Sequence, residues 1–176
     1  MKIYLIRHGQ CDSNVIGRYN FFDEDINEVG IKQAEELREE IRNINYDIVI
    51  SSPMIRALHT AEIINVRNKK IITDERLQER NPGSLEGKST KSTDREEFWN
   101  YYTNVKYGTE EEVPHLCNRI KEFLDELKTK NYERVLIVAH SGVSKAFYVY
   151  FNGIPKDGKM LNLGLKNIEV KEYELK

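Results

Sequence analysis

Ile3-Tyr4-Leu5-Ile6-Arg7-His8-Gly9 runs four apolar residues straight into a cation, an imidazole and a glycine. An unbroken apolar run of this length reads as a strand buried on both faces, as strands of parallel sheets are. The carboxyl end of such a strand is where an open α/β sheet places its chemistry. A second run, Val135-Leu136-Ile137-Val138-Ala139, ends in the same manner with His140-Ser141-Gly142. Two of the four histidines thus occupy equivalent strand ends. That equivalence predicts one shared site.

Outward from the first strand, residues 10–27 are polar, glycine-containing and aperiodic, which predicts a loop over the strand end. Asn27 fits the N-cap of a helix reaching about Asn43, with Ile31, Ala34, Leu37, Ile41 and Ile44 near one face. Tyr46 to Ile50 reads as a second strand, after which Ser52 fits a cap and Pro53 the first position of a helix to about Ile64. A short strand at Ile71-Ile72 leads to the irregular stretch Pro82-Gly83-Ser84-Leu85-Glu86-Gly87, a second candidate site loop. Residues 88–108, with Phe98, Trp99, Tyr101, Tyr102 and Tyr107, predict a short helix in a cap or lid segment. Val113 to Leu127 carries the best amphipathic pattern of the chain. Its start is open: Thr109 and Glu112 have capping-box spacing, but Pro114 would cost a backbone bond in a helix begun that early. Arg134 to Ala139 predicts a strand, Gly142 to Phe151 a helix, and Lys166 to Tyr173 an edge strand.

The bulk properties exclude several classes. With 176 residues, 39% hydrophobic and 32% charged, the chain reads as a single soluble domain that buries roughly 70% of its unfolded surface. No segment approaches the ~20 apolar residues of a membrane span, so no membrane partner is expected. A net charge of −2 gives no general attraction to polyanions, which argues against nucleic acid. Cys11 and Cys117 lack C-x-x-C or Cys/His ligand spacing and read as free thiols, with no zinc site. The first strand begins within two residues of Met1, leaving no room for a signal peptide, so a cytoplasmic protein is expected. Oligomeric state is not legible.

In Arg7-His8-Gly9, the glycine lets backbone approach a ligand, the guanidinium binds an anion's oxygens and the imidazole attacks. Phosphorus is the electrophile that suits this set. Alone, the tripeptide fits a structural histidine closing a strand better than a catalytic one.

The surrounding blocks change that balance. Arg7-His8-Gly9 with Asn14, Asp25 to Gly30 with Gln33-Ala34, Ser51-Ser52-Pro53-Met54-Ile55-Arg56-Ala57 with Thr60-Ala61, Leu77-Gln78-Glu79, the Gly83 to Gly87 loop, and Val138 to Val143 together resemble the histidine phosphatase superfamily, the phosphoglycerate mutase-like group. They occur in that family's order and cover most of the chain. The resemblance implies an α/β fold, a three-layer α/β/α sandwich with a mostly parallel central sheet, in one domain over residues 1–176. It also implies a phosphohistidine intermediate with neither metal nor cofactor.

On these positions His8 is the implied nucleophile, and Arg7, Arg56 and His140 the pocket for the phosphoryl group. Asn14 is implied to hydrogen-bond the phosphate and Glu79 to donate a proton to the leaving group, against the alternative of a solvated carboxylate beside Arg76 and Arg80. Ser141 is counted with the substrate-binding residues, and Arg18 is a candidate for a second anionic group of the substrate. His8 must be neutral to attack whereas His140 is useful as a cation, so neighbours are expected to split two titrations that start near ~6.5. Gln10, Cys11, His59 and Ser141 depart from the family's commonest residues. Cys11 would make the pocket oxidation-sensitive if exposed and is otherwise a small buried hydrophobe. Lys145 sits where the family often has a base, or is a surface lysine.

The function that follows is a metal-independent phosphomonoesterase hydrolysing a small phosphorylated metabolite. The alternatives are a cofactor-dependent phosphoglycerate mutase, disfavoured because the family's mutases carry longer insertions, and a non-catalytic phosphate-binding module, for which Glu79 and a nucleophile would be superfluous. Which phosphate ester is cleaved is not legible.

Overall fold

Parallel pairing at the centre of the sheet sets the geometry of everything above it. The computed structural model describes residues 1–176. Strand β1 (Lys2–Arg7) lies parallel to β4 (Arg134–Ala139), with Ile6 opposite Val138 and Arg7 opposite Ala139. Adding β2 (Ile48–Ser51), β3 (Ile71–Thr73) and β5 (Val170–Glu174) gives a five-stranded sheet in the order β3-β2-β4-β1-β5. Only β5 runs antiparallel, as an edge strand on β1.

Period-two alternation along the central strands builds two cores. Ile3 and Leu5 of β1, with Val135 and Ile137 of β4, join the larger core formed with α5 (Val113–Leu127) and α6 (Ser141–Asn152). Tyr4, Ile6, Leu136 and Val138 face the other way, onto α2 (Glu28–Glu40) and α3 (Ile55–Ile64). The result is the expected three-layer α/β/α sandwich with a mostly parallel sheet. Every long parallel crossover then delivers the chain to the same end of the sheet.

Local chemistry explains where elements begin and where the sequence reading shifts. Asn27 caps α2 as expected, its Oδ1 accepting from the Gly30 amide at 3.0 Å. Glu112 is the N-cap of α5, so Pro114 falls in the first turn, where no intrahelical amide is required. Ser52 and Pro53 are not the start of α3: Met54 is its N-cap, and the Ser52 hydroxyl accepts from the Met54 amide at 3.2 Å. Residues 10–27 are not wholly a loop, because Asp12–Ile16 forms a short helix, α1, ended by Gly17 at φ 67°. Five residues are too few to show a helical period. Lys166 to Glu169 turn instead of extending, which delays β5 to Val170. Within 88–108, α4 (Arg95–Phe98) carries Phe98 and its successor Trp99 into the larger core.

One close backbone approach locks the first strand end to α2. A Cβ built on Gly9 would meet the Gly30 carbonyl oxygen at 2.6 Å, and one built on Gly30 would meet the Gln10 carbonyl oxygen at 2.3 Å. Gly30→Ala should therefore destabilise the protein by about 1–3 kcal/mol, although alanine is the better helix former by ~1 kcal/mol. Chemical denaturation of the variant checks this, with an unchanged or raised midpoint as the contrary result.

Candidate active site

The in-register pairing of Arg7 with Ala139 makes His8 and His140 neighbours in space. Their ring centroids lie 5.1 Å apart, tilted by 60°, and each residue is only 1% exposed. The His8 amide extends the ladder by donating to the Ala139 carbonyl at 3.0 Å.

Hydrogen bonds fix what each ring offers. His8 Nδ1 lies 2.7 Å from the Gly9 carbonyl oxygen. A carbonyl only accepts, so Nδ1 carries the proton of the neutral ring and Nε2 keeps its lone pair. His140 Nε2 is 2.8 Å from the Ser52 hydroxyl. That hydroxyl also accepts from the Met54 amide, so Ser52 ties the ring to the entry of α3. His140 Nδ1 is buried without a partner.

Two guanidinium groups flank the rings. Arg7, the last residue of β1, donates Nη1 to the Leu165 carbonyl at 3.0 Å. Arg56, in the first turn of α3 and 1% exposed, donates Nη1 to the Phe21 carbonyl at 3.0 Å. Neither arginine is in an ion pair, and the Nε of each is buried and unpartnered. Burial pulls both below the ordinary arginine value, with Glu79 the largest opposing charge. The unpartnered Nε–H donors of Arg7 and Arg56 are a strong demand for an anion.

The same charges act on the histidines. Burial, then Arg56, then Arg7 push His8 well below the usual imidazole value. His140 is pushed the same way, by burial, Arg56, His8 and Arg7 in that order. The rings share one cationic environment that favours the neutral form of each, and His8 adds to what lowers His140.

Glu79 is set apart from the cations expected beside it in sequence. Arg76 pairs with Asp74 and Glu126, and Arg80 stacks on Phe98 with its guanidinium carbon 4.1 Å from the ring centroid. The Glu79 carboxylate accepts instead from the main-chain N–H groups of Arg80 at 2.8 Å and Gly142 at 3.1 Å. It is thereby tied to the first turn of α6, one residue from Ser141.

Arg7, Asn14, Arg56, Glu79 and Ser141 line a cavity of about 400 Å³, and Arg18 stands exposed at its mouth. Six lining side chains are cationic and two acidic. Lys145 is among them and is no surface lysine: it is 3% exposed, donates to the Leu161 carbonyl at 2.7 Å, and burial lowers its ammonium to about 8. Cys11 is fully buried with Sγ 3.7 Å from His8 Nδ1, and burial pushes its thiol up to about 12. It is a buried small residue and not an oxidation-prone thiolate. His59 and His115 bind Asp25 and Glu111, away from the rings. No three His, Cys, Asp or Glu side chains converge as a metal site.

Three contributors escaped the sequence reading. Ser52 orients His140, and Trp99 lines the cavity with a buried, unpartnered Nε1. Asn167 donates to the carbonyls of His8 at 2.9 Å and Gly9 at 3.1 Å. The block Ser51-Ser52-Pro53 reads in sequence as a helix start and as part of a family motif, with no role for Ser52 beside His140. Asn167 lies in a stretch with no motif.

Comparison with known proteins agrees with this arrangement. The histidine phosphatase superfamily (branch 1) model matches residues 3–176. Phosphoserine phosphatase 1 of Hydrogenobacter thermophilus is 29% identical over 163 residues, covering 88% of this chain and 77% of the relative. The metal-independent phosphoserine phosphatase of Arabidopsis thaliana is 30% identical over 185 residues, covering 98% and 78%. Among solved structures, YhfR of Bacillus stearothermophilus superposes with a TM-score of 0.85 at 26% identity, covering 98% of this chain and 90% of that one. With the sheet order, the paired strand-end histidines and a family match over nearly its whole length, the chain belongs to branch 1 of the histidine phosphatase superfamily and is a phosphoric monoester hydrolase.

Proposed function

We propose that the protein hydrolyses a small phosphomonoester in two steps through a phosphohistidine on His8. The observation that carries this reading is the orientation of His8: Nδ1–H is held by the Gly9 carbonyl, so Nε2 is the free nucleophile. In the first step Nε2 forms a bond to phosphorus as the ester P–O bond breaks, and Glu79 gives its proton to the departing alkoxide. In the second, water attacks phosphorus, the P–N bond breaks, and the Glu79 carboxylate takes a proton from the water. Arg7, Arg56 and His140 neutralise the equatorial oxygens throughout, and Asn14 adds an amide donor. Their buried donors are fixed before substrate arrives, so little reorganisation accompanies the reaction. The fixed charges needed for the transfer come from side chains, which supports a metal-independent reaction.

A dianionic phosphoryl group brings the negative charge that both depressed histidines lack. His140 takes the proton that charge favours, while His8 Nε2 is consumed in the new bond. The cavity size suits a small metabolite, and its excess of cations suits an anionic one. Phosphoserine, the substrate named for two of the relatives, is the first ester to assay, and Arg18 is placed to meet a second anionic group at the mouth. Two free thiols support a reducing, cytoplasmic setting, and no helix is long and apolar enough to cross a membrane.

Wild-type protein should turn over an aryl phosphate and phosphoserine in EDTA, and His8→Ala should abolish both activities. An inactive wild type, a fully active His8→Ala, or bisphosphoglycerate-dependent interconversion of 2- and 3-phosphoglycerate in place of hydrolysis overturns the reading. Glu79→Gln should slow alkyl phosphates about 10²- to 10⁴-fold and aryl phosphates much less, because a phenolate leaves without a proton. Equal losses on both substrates would remove Glu79 from the role of acid.

The depressed histidines also set a stability profile. The unfolded chain takes up protons at the two imidazoles as pH falls through about 6.5, whereas the folded chain resists. The unfolded state then binds more protons, so stability is complete above that value and is lost as pH falls from about 7 towards 5. Each ring contributes at most about 1.4 kcal/mol per pH unit. Thermal melts across this range should show the loss, and inorganic phosphate should lessen it. A flat profile contradicts the neutral assignment of both rings.

A further inference from the structure

We infer that Asn167 is a positioning residue for the nucleophile, heading a ladder of side-chain amides that also secures Arg56 across the site. The inference rests on the roles proposed above for His8 and Arg56.

The two N–H bonds of Asn167 Nδ2 are shared among three acceptors, the His8 carbonyl at 2.9 Å, the Gly9 carbonyl at 3.1 Å and Asn14 Oδ1 at 3.2 Å. The Gly9 carbonyl is the group that holds the proton on His8 Nδ1. Asn167 therefore fixes the acceptor that fixes the nucleophile. The only other side chain near that oxygen is the Cys11 thiol, at 3.8 Å and a far weaker donor.

From Asn14 the ladder continues in one sense. Asn14 Nδ2 donates to Asn20 Oδ1 at 3.2 Å, and Asn20 Nδ2 donates to Glu24 Oε2 at 2.7 Å. The other Glu24 oxygen accepts from the Ser13 amide at 2.8 Å, pinning the ladder's end to α1. Asn14 Oδ1 is also taken by the Cys11 amide at 3.1 Å, so reversing Asn14 would set NH₂ against N–H. Each amide orients the next. Between Asn20 and Glu24 lie Phe21 and Phe22, whose carbonyls accept from Arg56 Nη1 at 3.0 and 3.4 Å. One end of the ladder holds the attacking nitrogen and the other holds the loop that seats a phosphate ligand.

The backbone beside Asn167 is strained to bring it there. Ile168 has φ 63°, a left-handed conformation that a β-branched side chain strongly disfavours. Its amide donates to the Arg7 carbonyl at 3.0 Å, which clamps the strained turn onto the end of β1. The turn that delays β5 is thus what presents Asn167 to residues 8 and 9.

The two ends of the ladder separate kinetically. With an aryl phosphate as substrate, Asn167→Ala should lower kcat by about 10- to 100-fold and leave KM and the Kd of inorganic phosphate within about threefold. Asn20→Ala should do the reverse, raising KM and phosphate Kd while lowering kcat less, since it loosens the seat of Arg56. Asn167→Asp keeps the shape and puts a carboxylate where the donor was. Its charge should favour the protonated His8 ring and move the acid limb of the kcat/KM profile to higher pH, an effect that loss of stability alone does not produce. If Asn167→Ala fails to fold, the Asp variant carries the test. Wild-type kcat in Asn167→Ala, equal changes in kcat and KM at both positions, or an unmoved acid limb in Asn167→Asp overturns the inference while wild-type activity leaves the proposed function standing. An inactive wild type overturns both.

Discussion

The register of β1 against β4 is the constraint on which the site depends. Because Arg7 pairs with Ala139, the next residue of each strand is a histidine, and the two rings are set 5.1 Å apart by backbone hydrogen bonds and not by flexible side-chain choices. A slip of one residue would exchange the faces of Ile3 and Leu5 with those of Tyr4 and Ile6 and mismatch both cores. The packing that stabilises the fold is therefore also the alignment device of the chemistry. The near contact of Gly9 with Gly30 holds the exit from β1 against α2.

That alignment concentrates positive charge where water is scarce. Arg56 is buried with no ion pair, Arg7 gives one bond to a carbonyl, and the Nε–H of each lacks a partner. Such groups cost stability in an isolated fold. They are tolerated because carbonyls of Phe21, Phe22 and Leu165 share the load and the Glu79 carboxylate lies close enough to oppose the charge. The imbalance favours an anionic ligand. It also explains why both histidines are driven neutral, a condition that favours a nucleophile and makes the second ring responsive to substrate charge.

Part of the cavity wall is made from segments that contribute little to the sheet. Arg95, Phe98 and Trp99 from the segment after β3 line it together with Lys145 of α6, whose Nζ lies 4.9 Å from the Trp99 ring centroid. Arg80 is taken out of the charge balance by stacking between Phe98 and Trp99. Substrate choice can thus vary in this wall while the strand-end histidines stay fixed, a common division between scaffold and loops.

Sequence alone determined the sheet-forming runs, the amphipathic helices and the family, because each rests on a local pattern: an apolar run, a helical period, or an ordered set of short motifs. His8, Arg7, Arg56, His140 and Glu79 were picked out in that way as candidate site residues. What sequence could not fix depends on contacts between distant segments. The burial of Lys145, the Ser52 bond to His140, the delayed start of β5 and the reach of Asn167 to residues 8 and 9 all arise when separate crossovers end at one edge of the sheet. The lowered titration of both rings belongs with them, since titration follows the summed field of groups far apart in the chain, and only the tertiary structure brings Arg7 and Arg56 to bear on both.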